Sequence, residues 1–65
     1  MKIDPVKLQT VIVGRMLNIT SLAKIMGVKT HVLRAVLERE SCTAVMACRI
    51  ADALEVDVTE IIKVR

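Results

Sequence analysis

Ala23 and Gly27 stand four residues apart in the segment SLAKIMGVKTHVLRAV, Ser21 to Val36, otherwise rich in Leu, Ile, Val and Met. Glycine supplies the positive φ that ends a helix and turns the chain. A helix stopping at Gly27 and another starting near Thr30 are joined by about three residues, so the two must cross steeply and pack tightly at the joint. A small residue at Ala23 lets the next helix approach, where a branched side chain would strike it. Leu33 and Val36 then plug the inner side. All four positions ask for one steric arrangement, which raises the pattern well above the signal of a lone glycine.

The rest of the 65 residues must close around that pair. Such a length makes one domain, residues 1–65, near the lower limit of what folds without a disulfide, metal or partner. Hydrophobic residues make up 54% of the chain and mean hydropathy is +0.55. The longest apolar stretches, such as VIVG at Val11 to Gly14, still fall far short of the roughly 18 residues of a membrane span. The N-terminal MKIDPVKL has a basic start but neither the apolar run nor the cleavage site of a secretory signal. A cytoplasmic protein with no membrane partner is expected. Cys42 and Cys48, six apart, match neither a CxxC pair nor a zinc quartet, and small semi-buried thiols are expected rather than a disulfide or metal site.

The remaining pattern is helical throughout. Asp4 and Pro5 supply an N-cap and a first-turn proline, so a first helix is expected to about Met16, with Leu8, Ile12 and Met16 on one face. Gly14 inside it predicts a last turn that is frayed or closely packed. Asn18 caps the second helix, which ends at Gly27. The third spans about Thr30 to Glu38 with Leu33, Val36 and Leu37 inward, and the fourth about Thr43 to Leu54 with Ala47, Ile50, Ala51 and Leu54 inward. DVTE, Asp57 to Glu60, has the form of a capping box opening a fifth helix from Val58 to about Lys63. The fold class expected is all-α, a compact five-helix bundle.

Charge is unevenly shared. Residues 1–34 carry six Lys and Arg against Asp4 alone, net +5, whereas residues 35–65 carry four against six carboxylates, net −2. This asymmetry suits one face on a polyanion, or only ordinary solvation. Phe, Trp and Tyr are absent, which removes the stacking platforms used by single-strand readers and favours a duplex held by charge and hydrogen bonds. With one histidine, no evident carboxylate pair and no phosphate loop, neither enzyme activity nor a cofactor is expected.

At this point the chain resembles the phage Cro and repressor type of helix-turn-helix, the lambda-repressor-like DNA-binding domains. SLAKIMGV is similar to the family's second helix and turn, KTHVLRAVL to its third helix, and RIADALEVDVTEII to its fourth and fifth. The resemblance implies a transcriptional regulator, as a repressor dimer on an inverted-repeat operator of double-stranded DNA, with the third helix in the major groove. It places base contacts on Thr30, His31, Arg34 and Ala35. Arg34 suits guanine O6 and N7, and Ala35 a thymine methyl. Lys29, Asn18 and Arg39 are expected at phosphates. Each has a plainer alternative: Arg34 as a solvated charge, His31 as a surface histidine, Thr30 as a helix cap.

The chain also departs from that family. Ile19 stands where a polar phosphate contact is usual, and Glu38 and Glu40 follow the third helix where basic residues are usual. Weak, salt-sensitive DNA binding is the consequence. Val32, Val45 and Met46 are apolar enough to suggest a protein-contact patch, so the alternative function is a helix-turn-helix used as a protein-interaction module, with Val45 and Met46 meeting the partner. Homodimerisation is expected through Ile61, Ile62 and Val64, whose apolar surface exceeds what one short terminal helix buries.

Overall fold

The computed structural model describes residues 1–63. Local hydrogen bonding starts the helices where the sequence directs. Asp4 Oδ1 accepts from the backbone N–H groups of Val6 and Lys7 and opens α1, Pro5–Gly14, with Pro5 in its first turn. Asn18 Oδ1 accepts from Ser21 N–H at 2.8 Å and opens α2, Ile19–Met26. Thr43 Oγ1 does the same from Met46 N–H for α4, Ala44–Leu54. Between them α3, Thr30–Arg39, begins at Lys29 with no side-chain cap.

Among the described residues four α-helices form, not five. The expected fifth helix is a single 3₁₀ turn, Val58–Glu60. Asp57 Oδ1 accepts from both the N–H and the hydroxyl of Thr59, which holds the Asp57 carboxyl below the usual carboxylate range. The return bond of a capping box, from Asp57 N–H to Glu60, is not made among the described residues. Beyond the turn the backbone groups that would continue a helix pair across the chain instead. Asp4 N–H donates to Ile61 C=O at 3.0 Å and Lys63 N–H donates to Lys2 C=O at 3.1 Å. On the other side of the N-terminal segment, Ile3 N–H donates to Glu40 C=O at 2.8 Å. Two isolated antiparallel bridges, Lys2 with Ser41 and Ile3 with Ile62, thus strap the N-terminus between the α3–α4 connection and the C-terminal segment.

The core is entirely aliphatic. Leu8 and Ile12 of α1, Leu22 and Ala23 of α2, Leu33 and Val36 of α3, and Ala47, Ile50, Ala51 and Leu54 of α4 are buried, as their spacing requires, while Leu37 is half-buried. Ala23, Ala47 and Ala51 keep two helices thin on their buried faces, and α2 packs against both α3 and α4. Ile3 and Ile61, outside every α-helix, are fully buried. This corrects one residue of the expected dimer contact: Ile61 is spent inside its own core, whereas Ile62 is half-buried beside Ile3, and Val64 lies outside the described residues. Among the described residues no helix is long and apolar enough to cross a membrane.

Helix ends show a second correction. α1 stops at Gly14, and Met16, expected on the inward face, is 95% exposed with φ 59°. Met16 N–H donates to Val13 C=O and Leu17 N–H to Ile12 C=O, the paired bonds of a left-handed C-terminal motif. Gly27 at φ 71° and Glu55 at φ 59° end α2 and α4 with the same pair of bonds, and Glu40 at φ 54° ends α3. Only one of the four is glycine. Gly14, with open space around it, lies two residues too early to serve α1.

Two stability changes test this backbone. Met16→Gly removes a left-handed strain of roughly 1–2 kcal/mol, gives back part of it as chain entropy, and loses no packing, so a net gain of about 0.5–1 kcal/mol is expected. A raised urea midpoint with unchanged slope checks it, and a lowered midpoint would show that α1 does not end this way. At Gly27 an added Cβ would meet nothing within 4 Å, so φ alone sets the penalty. Gly27→Val is expected to lose about 2 kcal/mol and Gly27→Asn much less, because asparagine tolerates this region. Equal losses in the two variants would place the strain elsewhere.

Candidate nucleic-acid interface

With Leu33 and Val36 turned inward, α3 leaves His31, Arg34 and Glu38 exposed on its opposite side, with Ala35 half-buried beside them. The structure therefore brings together three of the four expected base-contact residues, His31, Arg34 and Ala35, on one outward face. Thr30 is half-buried and is the first residue of α3, so the cap alternative for it is excluded: Lys29 holds the cap position. Ten residues make α3 about 15 Å long, commensurate with a major groove roughly 12 Å wide.

Two of the expected phosphate ligands flank α3 and the third caps α2. Lys29 is exposed at the N-terminus of α3, where its backbone conformation is extended. Asn18 is exposed, but its Oδ1 is committed to Ser21 N–H, which leaves the amide nitrogen as the available donor. Arg39 is exposed in the last turn of α3, where its charge also suits the helix dipole. Ile19, half-buried, packs against the core rather than offering a polar contact.

Tertiary contacts redistribute the basic charge of the chain. Arg15 Nη2 donates to Glu55 C=O at the end of α4, and Arg49 Nη2 donates to Met26 C=O at the end of α2, each at 3.0 Å. Lys7 Nζ donates to the carbonyls of Thr59 and Ile62. Lys63 pairs with Glu40 at 2.9 Å, which raises the Lys63 pKa and takes Glu40 out of the acidic obstacle that follows α3. Among the described residues, five basic side chains are left without a protein partner: Lys2, Lys24, Lys29, Arg34 and Arg39. Four of these lie on α2, on α3 or between them. Glu38, without a partner among the described residues, lies on the face itself, where it opposes phosphate but is able to accept from a cytosine amino group.

Beside this face runs a feature that residue spacing did not reveal. An open groove of about 330 Å³ separates α3 from the first turn of α4. Val32, Ala35, Val36, Cys42 and Met46 supply its apolar surface, and His31, Arg39, Ser41 and Thr43 its polar edge. Burial pushes the Cys42 thiol up despite the nearby N-terminal ammonium and a backbone hydrogen bond to Ala47, so it stays protonated and behaves as a small apolar group. Val32 and Met46, two residues of the expected protein-contact patch, thus meet here. The third, Val45, does not line the groove and is 70% exposed. Among the described residues no group of His, Cys, Asp or Glu is placed to hold a metal ion, and both cysteines are free. The chain matches no family model, no curated protein and no solved structure.

Proposed function

We propose that this protein is a sequence-specific double-stranded DNA-binding regulator of the lambda-repressor-like helix-turn-helix kind, with α2 and α3 as the motif and α3 in the major groove. One observation carries the reading: of the five basic side chains without a partner among the described residues, four lie on α2, on α3 or between them, the two helices of the motif, and α3 exposes Arg34 and His31. Arg34 reads a base edge, with guanine as its natural partner, and Lys29, Arg39, Lys24 and Asn18 hold the backbone. The five uncommitted cations among the described residues set the scale of the salt dependence. At about 0.9 counterions per neutralised phosphate, they account for a slope of log K against log salt of about −4.5 per protomer.

A dimer on an inverted repeat belongs to this proposal, because one short helix reads too few bases to outcompete bulk DNA. Its contact needs a surface other than Ile61. α1 offers Val6 and Val13 on one side, 71% and 68% exposed.

Selection of duplexes from a random library by the purified protein, at about 50 and 150 mM salt, tests the reading. An enriched motif that persists at the higher salt supports it, and an inverted repeat supports the dimer. Binding that is unselective and vanishes at the higher salt overturns the claim of specificity.

A further inference from the structure

The groove between α3 and the start of α4 has a composition that duplex DNA does not match. Its apolar surface, Val32, Val36, Cys42 and Met46, would face sugars, phosphates and base edges without returning any hydrogen bond. Nucleic acid gains from the exposed side of α3, not from this cleft.

The charge around the cleft is one-sided. No Asp or Glu lines it, while Arg39 stands at its edge with no partner among the described residues. Lys2, also uncommitted, is held alongside by the bridge between its backbone and Ser41, itself a lining residue. The carboxylates nearest in sequence do not compensate: Glu40 is occupied by Lys63, and Glu38 lies on the outward side of α3 and does not line the groove. A volume of about 330 Å³ is at the low end for a ligand site, enough for one or two large side chains and too small for more.

We propose that this groove receives a short segment of a partner protein in which a large apolar side chain is flanked by Asp or Glu. The apolar side chain displaces water from Val32, Val36 and Met46, and the carboxylate takes the Arg39 guanidinium through paired N–H···O bonds. His31, Ala35 and Arg39 line the groove and also belong to the DNA-facing side, so an occupied groove excludes duplex DNA. The exclusion rests on the DNA reading above, whereas the docking does not.

The test is selection of short random peptides displayed on phage against the full chain at about 150 mM salt, where a lone surface charge is screened beyond about 8 Å. Recovered peptides are then synthesised and measured on Met46→Gln, Met46→Glu and Arg34→Ala. Met46 is half-buried and lies outside the DNA-contact set, and the length-matched glutamine guards against loss of folding in the glutamate variant. The expected result is peptides pairing Asp or Glu with a large apolar residue, weakened about tenfold or more by both Met46 changes and unaffected by Arg34→Ala, which displace the selected duplex from the wild-type chain. No enrichment, or peptides indifferent to both Met46 changes, overturns the docking. Simultaneous binding of peptide and duplex overturns the exclusion alone. Peptides that depend on Met46, on a chain that binds no duplex selectively, leave the docking standing and remove the DNA reading.

Discussion

Ile3→Ala is expected to remove about 2–5 kcal/mol of stability, most of what a domain of this size possesses. The residue precedes every helix, yet its side chain is fully buried and its N–H donates to Glu40 C=O. Around it the N-terminal strap also bonds to Ile61 and Lys63. Truncating Ile3 leaves a cavity among Ile61 and the helices, and it loosens the anchor that holds the α3–α4 connection to the C-terminal segment. Val6→Ala, three residues along and 71% exposed, is the matched control, expected within about 0.5 kcal/mol of wild type. Urea unfolding followed by circular dichroism separates the two. Similar midpoints for both variants would mean that the strap is an ornament on a bundle that stands without it.

Arg34→Ala is expected to lower affinity for the selected duplex by about 1–3 kcal/mol and to relax preference at one base pair. Lys29→Ala is expected to weaken all sequences alike and flatten the salt slope by about one. Arg49→Ala removes the same formal charge, but its guanidinium is committed to Met26 C=O, so the salt slope should hold while the unfolding midpoint falls. Binding curves over a salt series on selected and scrambled duplexes check all three. The proposal fails at its centre if Arg34→Ala weakens both duplexes equally, because α3 would then touch DNA without reading it.

The same arginines show how far the site was legible. Arg34 and His31 were readable as outward residues because Leu33 and Val36 define the inward side of a regular helix, and a 3.6-residue period places the rest. Which cations remain available was not readable. Arg15 and Arg49 look like any other basic residue in the chain, and the carbonyls they meet lie 40 and 23 residues away. The net +5 of residues 1–34 therefore overstated what a phosphate can meet, since Lys7 and Arg15 are engaged within the fold. The groove escaped notice for a related reason: its two walls come from α3 and α4, and neither helix alone encloses a volume.

What the sequence determined by itself is what local bonds and helical period decide. Asp4, Asn18 and Asp57 each cap through a backbone N–H two or three residues ahead, Gly27 turns left because it lacks a Cβ, and the buried stripe of α4 follows its spacing. The tertiary structure alone decided everything settled by competition between distant partners. The C-terminal segment forsakes a fifth helix because Ile61 and Lys63 find backbone partners in Asp4 and Lys2, and Ile61 fills the core instead of meeting a second copy. A hydrogen bond across most of the chain leaves no periodic trace in sequence, and only the packed chain shows which one wins.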